Sequence, residues 1–99
     1  RVQDGVPATA QVLPAIADAV KGQMTILVDG GIRTGVDVLK ALALGADGVL
    51  LARPYVTAVY GGGAEGVQVL TQKLKGELED TMAMCGVHSL SEITRDLIF

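Results

Sequence analysis

Two short stretches of the chain, residues 24–28 and 48–52, are apolar almost throughout instead of alternating with polar residues. A short apolar run without alternation is typical of a parallel strand that is buried on both faces. Each run is followed by residues that end a strand, Asp29-Gly30-Gly31 after the first and Arg53-Pro54 after the second. We therefore predict two buried parallel strands in a protein of the α/β class.

The apolar residues on either side of the first strand recur with the 3.6-residue period of a helix. This period predicts a helix at about 12–20, with Thr9 as a cap, and another at about 35–44, with Thr34 as its cap and Asp37 in its first turn. Two strands joined by such a helix form a right-handed parallel βαβ unit. Both strands then end at the same edge of the sheet, which brings the residues after them together.

The second half of the chain is predicted to be helical. A short helix can begin at Pro54 and run to Tyr60, and a longer one fits residues 64–84, where apolar residues share one face. Residues 89–92, Ser-Leu-Ser-Glu, match a capping box and predict a last helix that extends through Leu97.

Composition restricts the class of protein further. The 99 residues are enough for one small domain or part of a larger one, and eight basic against eleven acidic residues leave no basic patch for nucleic acid. No apolar run approaches the ~20 residues that span a bilayer, and no signal peptide opens the chain, so we expect a soluble cytoplasmic protein. Cys85 is the single cysteine, which excludes a disulfide framework or metal cluster and suggests a small buried hydrophobic residue.

The loops after the two strands carry the strongest functional pattern. Two glycines directly after a buried strand let the backbone turn sharply, and Arg33 adds a guanidinium group that suits phosphate. The second loop brings another arginine, Arg53, followed by a proline at a helix start. Paired loops of this kind, after adjacent strands, form the phosphate site of (β/α)8 barrels. An ordinary turn with solvated arginines is the alternative, and the presence of two such loops favours phosphate.

The stretch 29–46, Asp-Gly-Gly-Ile-Arg-Thr-Gly-Val-Asp-Val-Leu-Lys-Ala-Leu-Ala-Leu-Gly-Ala, resembles the C-terminal signature of the FMN-dependent 2-hydroxy-acid oxidases and dehydrogenases, such as glycolate and lactate oxidases. The resemblance implies that residues 1–99 are the C-terminal segment of a single TIM (β/α)8 barrel domain. It also implies that the Asp-Gly-Gly-x-Arg loop and a following Gly-Arg pair hold the FMN phosphate. Ala52 replaces the glycine of that pair, which is tolerated if its φ is negative. The implied cofactor-binding residues are Asp29, Gly30, Gly31, Ile32, Arg33, Ala52 and Arg53.

The first residues of the chain resemble the segment that follows the catalytic histidine of the same family. In that register Arg1 binds the substrate carboxylate, and the histidine that removes a proton from the hydroxy acid is expected just before residue 1. The resemblance implies oxidation of a small 2-hydroxy acid, of lactate or glycolate type, to the 2-oxo acid, with the rest of the barrel as a partner and assembly into a homo-oligomer.

Three alternatives remain open from the sequence. An IMP dehydrogenase-like barrel has a similar Gly-Gly-Ile-Arg loop and would bind a nucleotide phosphate. The chain alone would be an inert barrel fragment, because a complete barrel has about 250 residues and eight strands. Residues 61–66 match the Gly-x-Gly-x-x-Gly spacing of a dinucleotide fingerprint. That fold requires a strand before the glycines, for which residues 56–60 could serve, and a second strand after the helix, which does not follow.

His88, the only histidine, is expected in a turn without a catalytic role.

Overall fold

The structure is a computed structural model that describes residues 3–98. A two-stranded sheet lies beside three helices, and the chain ends in two short 3-10 turns. The order of elements confirms the predicted strand–helix–strand unit. The elements are α1 (Thr9–Val20), β1 (Leu27–Val28), α2 (Gly35–Ala43), β2 (Gly48–Val49), α3 (Arg53–Met84) and the 3-10 turns Leu90–Glu92 and Arg95–Leu97.

The two strands pair in parallel, with Leu27 opposite Gly48 and Val28 opposite Val49. Each is two residues long, so the predicted five-residue strands were too long. Burial on both faces is not observed within residues 3–98. Val28 is buried against the helices, whereas Leu27 is 60% exposed, because no layer covers the other face of the sheet within residues 3–98.

Helix α1 begins at Thr9, three residues earlier than predicted. Thr9 is not its cap: Ala8 occupies that position, and the Ala8 N–H donates to Oε1 of Gln11 over 2.9 Å. Helix α2 agrees with its prediction, because the Asp37 N–H donates to the Thr34 hydroxyl over 3.1 Å, which closes a capping box.

Helix α3 is interrupted at Gly63, whose φ of 56° lies outside the helical region. Residues 53–62 and 64–84 are therefore two helices, as predicted, but the first extends past its predicted end at Tyr60 and a tight bend replaces a loop. Residues 56–60 are helical, so the strand that the dinucleotide fingerprint required is absent from the described chain. A β-carbon at Gly66 would collide with the Ala58 carbonyl, so the two helices approach closely beyond the bend.

The core forms around α2, which has buried residues on both of its flanks. Two clusters of buried residues lie there, one towards α1 and the sheet and one towards α3 and the C-terminal turns. The first contains Leu13, Val28, Ala41 and Ala46, and the second contains Leu39, Ala43 and Ile93. Because α2 packs on both sides, it fixes the position of the loop that joins β1 to the start of α2.

The predicted last helix is absent, and two 3-10 turns stand in its place. The carboxylate of Glu92 accepts from the His88 N–H over 2.8 Å instead of the Ser89 N–H that a capping box requires. The guanidinium of Arg95 binds the carboxylate of Asp18 and the carbonyl of Pro14, both over 2.9 Å. These contacts to α1 hold the end of the described chain in a turn conformation.

The C-terminal end of α3 also differs from expectation. Cys85 is exposed, although the sequence suggested a buried residue. Of the two methionines before it, Met84 is 88% exposed and Met82 packs against the second core cluster. His88 lies exposed in the turn, as predicted. None of the described helices is long and apolar enough to cross a membrane.

Gly35→Ala should destabilise the protein, because the first turn of α2 rests directly on α3. A β-carbon at Gly35 would lie 2.6 Å from both the Leu74 carbonyl oxygen and Cβ of Glu77. We expect a loss of about 1–3 kcal/mol in the free energy of unfolding, measured with urea. Gly76→Ala is the control, since a β-carbon there would have no neighbouring atom within 4 Å, and it should be neutral or stabilising. Equal stability of the two variants would contradict this packing.

Candidate phosphate-binding site

The two loops singled out in the sequence leave the sheet at the same edge. The strands are parallel and in register, and the Leu50 N–H donates to the Val28 carbonyl over 2.9 Å just beyond the paired residues. The chain after β1 therefore starts beside the chain after β2, at the spacing of neighbouring strands, about 4.8 Å. The structure confirms that these loops are neighbours.

The loop after β1 turns through two glycines in conformations that other residues rarely adopt. Gly30 has a φ of 100° and Gly31 a φ of 75°. Ile32 packs against the first core cluster and anchors the loop, whereas Asp29 and Arg33 are exposed. The loop thus presents its backbone and the Arg33 side chain to solvent.

The other end of this loop is held by carboxylates. One Asp37 oxygen accepts from the N–H groups of Arg33 and Thr34, over 3.0 and 3.1 Å, and Oε1 of Glu77 accepts from the Gly35 N–H over 3.2 Å. These groups satisfy donors that a helix leaves unpaired at its start. The first turn of α2 therefore has its own negative charges.

The start of α3 lacks such charges. Arg53 is its first residue, and the first turn contains no acidic residue. Unpaired N–H groups and the helix dipole make such an end attractive to anions. Ala52, which caps the helix, has a φ of −118°, so alanine fits the position where the resemblance expected glycine.

Both arginine side chains are free to bind a ligand. Arg33 and Arg53 are exposed, and within residues 3–98 neither guanidinium has an ion pair or a side-chain hydrogen bond. Arg95 differs, because Asp18 and Pro14 occupy its guanidinium. Two unpaired cations, two sharply turned glycines and an uncompensated helix start fit a phosphate monoester.

Two contacts of the site were not found by sequence reasoning. The Thr9 hydroxyl donates to the Asp29 carbonyl over 2.7 Å, although the helical pattern suggested Thr9 only as a cap. Glu77 lies 42 positions beyond Gly35, and no local pattern marks it.

The predicted substrate-binding residue, Arg1, lies outside the described residues. Within residues 3–98, no group of three or more potential metal-binding side chains occurs.

Comparison with known proteins gives one consistent answer. A sequence model of FMN-dependent dehydrogenases matches residues 1–99. The chain is 50% identical over 98 residues to an L-lactate dehydrogenase of Xanthomonas campestris pv. campestris (strain B100) and to one of Ectopseudomonas mendocina (strain ymp). These matches cover 99% of this chain but 25% and 26% of the two relatives. The chain therefore spans about a quarter of their length.

Solved structures agree with this match. A mandelate oxidase variant with a monooxide FMN adduct superposes with a TM-score of 0.91 at 43% identity, over 96% of this chain and 30% of that one. A flavocytochrome b2 variant with sulfite bound has a TM-score of 0.89 at 38% identity, over 96% of this chain and 26% of that one. These relatives favour the FMN-dependent interpretation over the IMP dehydrogenase-like alternative. By sequence and by fold, this chain belongs to the family of FMN-dependent dehydrogenases.

Proposed function

We propose that this chain is the C-terminal segment of an FMN-dependent enzyme that oxidises a small 2-hydroxy acid, and that its two loops bind the FMN phosphate. The observation that supports the proposal is the parallel pairing of β1 and β2, from which the turn at Gly30 and Gly31 and the helix start at Arg53 follow at the same edge of the sheet. The relatives are named for lactate and mandelate, both 2-hydroxy acids. We propose a substrate of lactate or glycolate type.

A (β/α)8 barrel accounts for the uncovered face of the sheet. Leu27 and Leu50 are 60% and 53% exposed, while Val28 faces the helices. In such a barrel, one face of each strand packs on helices and the other fills the interior with branched apolar side chains. We assign Leu27 and Leu50 to that interior. The remaining strands would come from the rest of the enzyme, and association into a homo-oligomer stays a prediction.

The residues of this chain would bind and orient the cofactor. Arg33 and Arg53 would neutralise the phosphate charge, and the turn at Gly30 and Gly31 would let backbone N–H groups approach the phosphate oxygens. When bound, FMN supplies the acceptor for the hydride equivalent that the hydroxy acid loses. Anchoring the phosphate on short loops of a packed sheet would fix the position of the flavin ring relative to the substrate.

The function is tested by adding hydroxy acids to the purified intact enzyme without oxygen. The protein should carry flavin, and L-lactate, glycolate or mandelate should bleach its visible absorbance as the flavin is reduced. Succinate, which has no 2-hydroxyl group, is the control and should leave the spectrum unchanged. A protein without flavin, or one whose flavin no 2-hydroxy acid reduces, would contradict the proposal.

Arg1→Met in the intact enzyme should impair use of the hydroxy acid while leaving FMN bound. Methionine retains much of the length of arginine but cannot pair with a carboxylate, and a lost charged hydrogen bond lowers kcat/KM by about ten- to a hundredfold. Steady-state kinetics and flavin content measure the two effects. Lys21→Met, which removes an exposed cation at the end of α1, is the control. Unchanged kcat/KM in Arg1→Met would remove Arg1 from the site.

A further inference from the structure

Side chains from three different helices bind the main chain of residues 29–35, which we name the glycine loop. Thr9 of α1 donates to the carbonyl at its start, Asp37 of α2 accepts from two N–H groups, and Glu77 of α3 accepts from the N–H at its end. We infer that Thr9 and Glu77 are positioning residues that hold the glycine loop in its phosphate-binding conformation, and so make the enzyme select FMN over riboflavin. This inference rests on the proposed function of the loop.

Thr9 fixes the point where the strand becomes the loop. Its hydroxyl lies 2.7 Å from the Asp29 carbonyl oxygen, and a β-carbon at Gly30 would lie 2.9 Å from the same hydroxyl. Thr9 therefore covers the peptide between Asp29 and Gly30 closely. Fixing that carbonyl orients the peptide plane, and with it the N–H of the next residue, Gly30.

Glu77 fixes the other end. Gly35 is buried against α3, and its N–H donates to the Glu77 carboxylate. Since the neighbouring N–H groups of Arg33 and Thr34 already donate to Asp37, the first turn of α2 has little capacity left for a phosphate. Asp37 and Glu77 together thereby leave the start of α3 as the anion-binding helix end. Asp37 holds the Arg33 backbone directly, and Glu77 holds the adjoining first turn of α2 against α3.

Loss of the Thr9 or Glu77 contact should affect the binding of a flavin that carries a phosphate more than that of one without it. Riboflavin has the same ring and ribityl chain as FMN but lacks the phosphate, so the conformation of the glycine loop affects only FMN directly. A loop that must be ordered by the ligand weakens binding, because the ordering opposes association. Loss of either contact should therefore lower the affinity for FMN more than that for riboflavin.

The test compares the two flavins in the intact enzyme. The apoprotein is titrated with FMN and with riboflavin, and the ratio of the two Kd values is taken for each variant. Thr9→Val keeps the shape but removes the hydroxyl, and Glu77→Ala removes the acceptor. Each should reduce the preference for FMN about three- to tenfold. Thr9→Ser and Glu77→Gln, which retain the hydrogen-bonding atom, should restore most of the preference. Glu79→Gln is the control, because Glu79 is exposed and its carboxylate forms an ion pair with Lys75, at 3.9 Å, and with no other cation within residues 3–98.

The outcomes separate this inference from the proposed function. The inference about Thr9 and Glu77 is overturned if Thr9→Val and Glu77→Ala leave the ratio of the two Kd values unchanged. An equal loss of affinity for both flavins would indicate a general structural role. Should one of these two variants fail to fold, the other decides. Arg33→Ala and Arg53→Ala are measured alongside. If they lower the preference for FMN and the Thr9 and Glu77 variants do not, only the positioning role is wrong. If the arginine variants also keep the preference, the phosphate site itself is wrong.

Discussion

Arg53→Ala and Arg33→Ala in the intact enzyme should each raise the Kd for FMN by about ten- to a hundredfold, because a hydrogen bond to a charged group contributes about 1.5–3 kcal/mol. Both guanidinium groups are unpaired within residues 3–98, so neither substitution breaks an ion pair there. The rate of flavin reduction in the fully loaded variants should change much less, since the role we propose for both arginines is to anchor the phosphate and not the substrate. Dilution followed by fluorescence of the released FMN measures the loss.

Lys73→Ala is the matched control for these two variants. Lys73 is an exposed cation on α3, distant in sequence from both loops, and its removal changes the net charge by the same amount. Its FMN content should equal that of the unchanged enzyme. Full flavin retention by both arginine variants after dilution would show that neither guanidinium binds the phosphate.

The 99-residue chain alone should associate and should not oxidise a hydroxy acid. Leu27 and Leu50 expose an apolar face, and the outer edges of both strands lack partners within residues 3–98. Unpaired strand edges with apolar side chains recruit other chains. His88 is the one histidine of the chain and is expected to have no catalytic role, so we expect the chain alone to lack the group that removes a proton from the hydroxy acid.

Sedimentation at several concentrations, with a dye-reduction assay on lactate and glycolate, tests this expectation. Leu50→Lys should reduce the association, because it places a charge on the exposed face. Val69→Ser should not, because Val69 is an exposed residue of α3 and does not belong to the sheet. A monomer that retains flavin and turns over lactate would contradict the barrel-segment interpretation.

Local signals in the sequence predicted the parts of the fold that depend on neighbouring residues. The capping box of Thr34 and Asp37 and the division of residues 53–84 into two helices each depend on a few neighbouring positions, and both are confirmed. The shared edge of the two loops followed from the parallel direction of the strands in a βαβ unit, since parallel strands end at the same edge of a sheet. Negative φ at Ala52 was the condition for replacing glycine, and it is met.

The errors arise where distant contacts decide the structure. The Ser89–Glu92 pattern did not form a helix, because Arg95 binds α1 and draws the chain into turns. The strands were predicted as buried on both faces, but burial of the second face requires a layer that residues 3–98 do not supply. Glu77 escaped detection because its contact with Gly35 spans 42 positions. A contact between residues so far apart along the chain leaves no periodic pattern in a single sequence.

A crystal structure of the intact enzyme with FMN bound tests the proposed phosphate site most directly. We predict phosphate oxygens within hydrogen-bonding distance of the Arg33 and Arg53 guanidinium groups and of backbone N–H groups in the glycine loop. The hydrogen bonds from Thr9 to Asp29 and from Gly35 to Glu77 should be retained there. A phosphate bound away from both loops, with Arg33 and Arg53 directed into solvent, would contradict the proposed site.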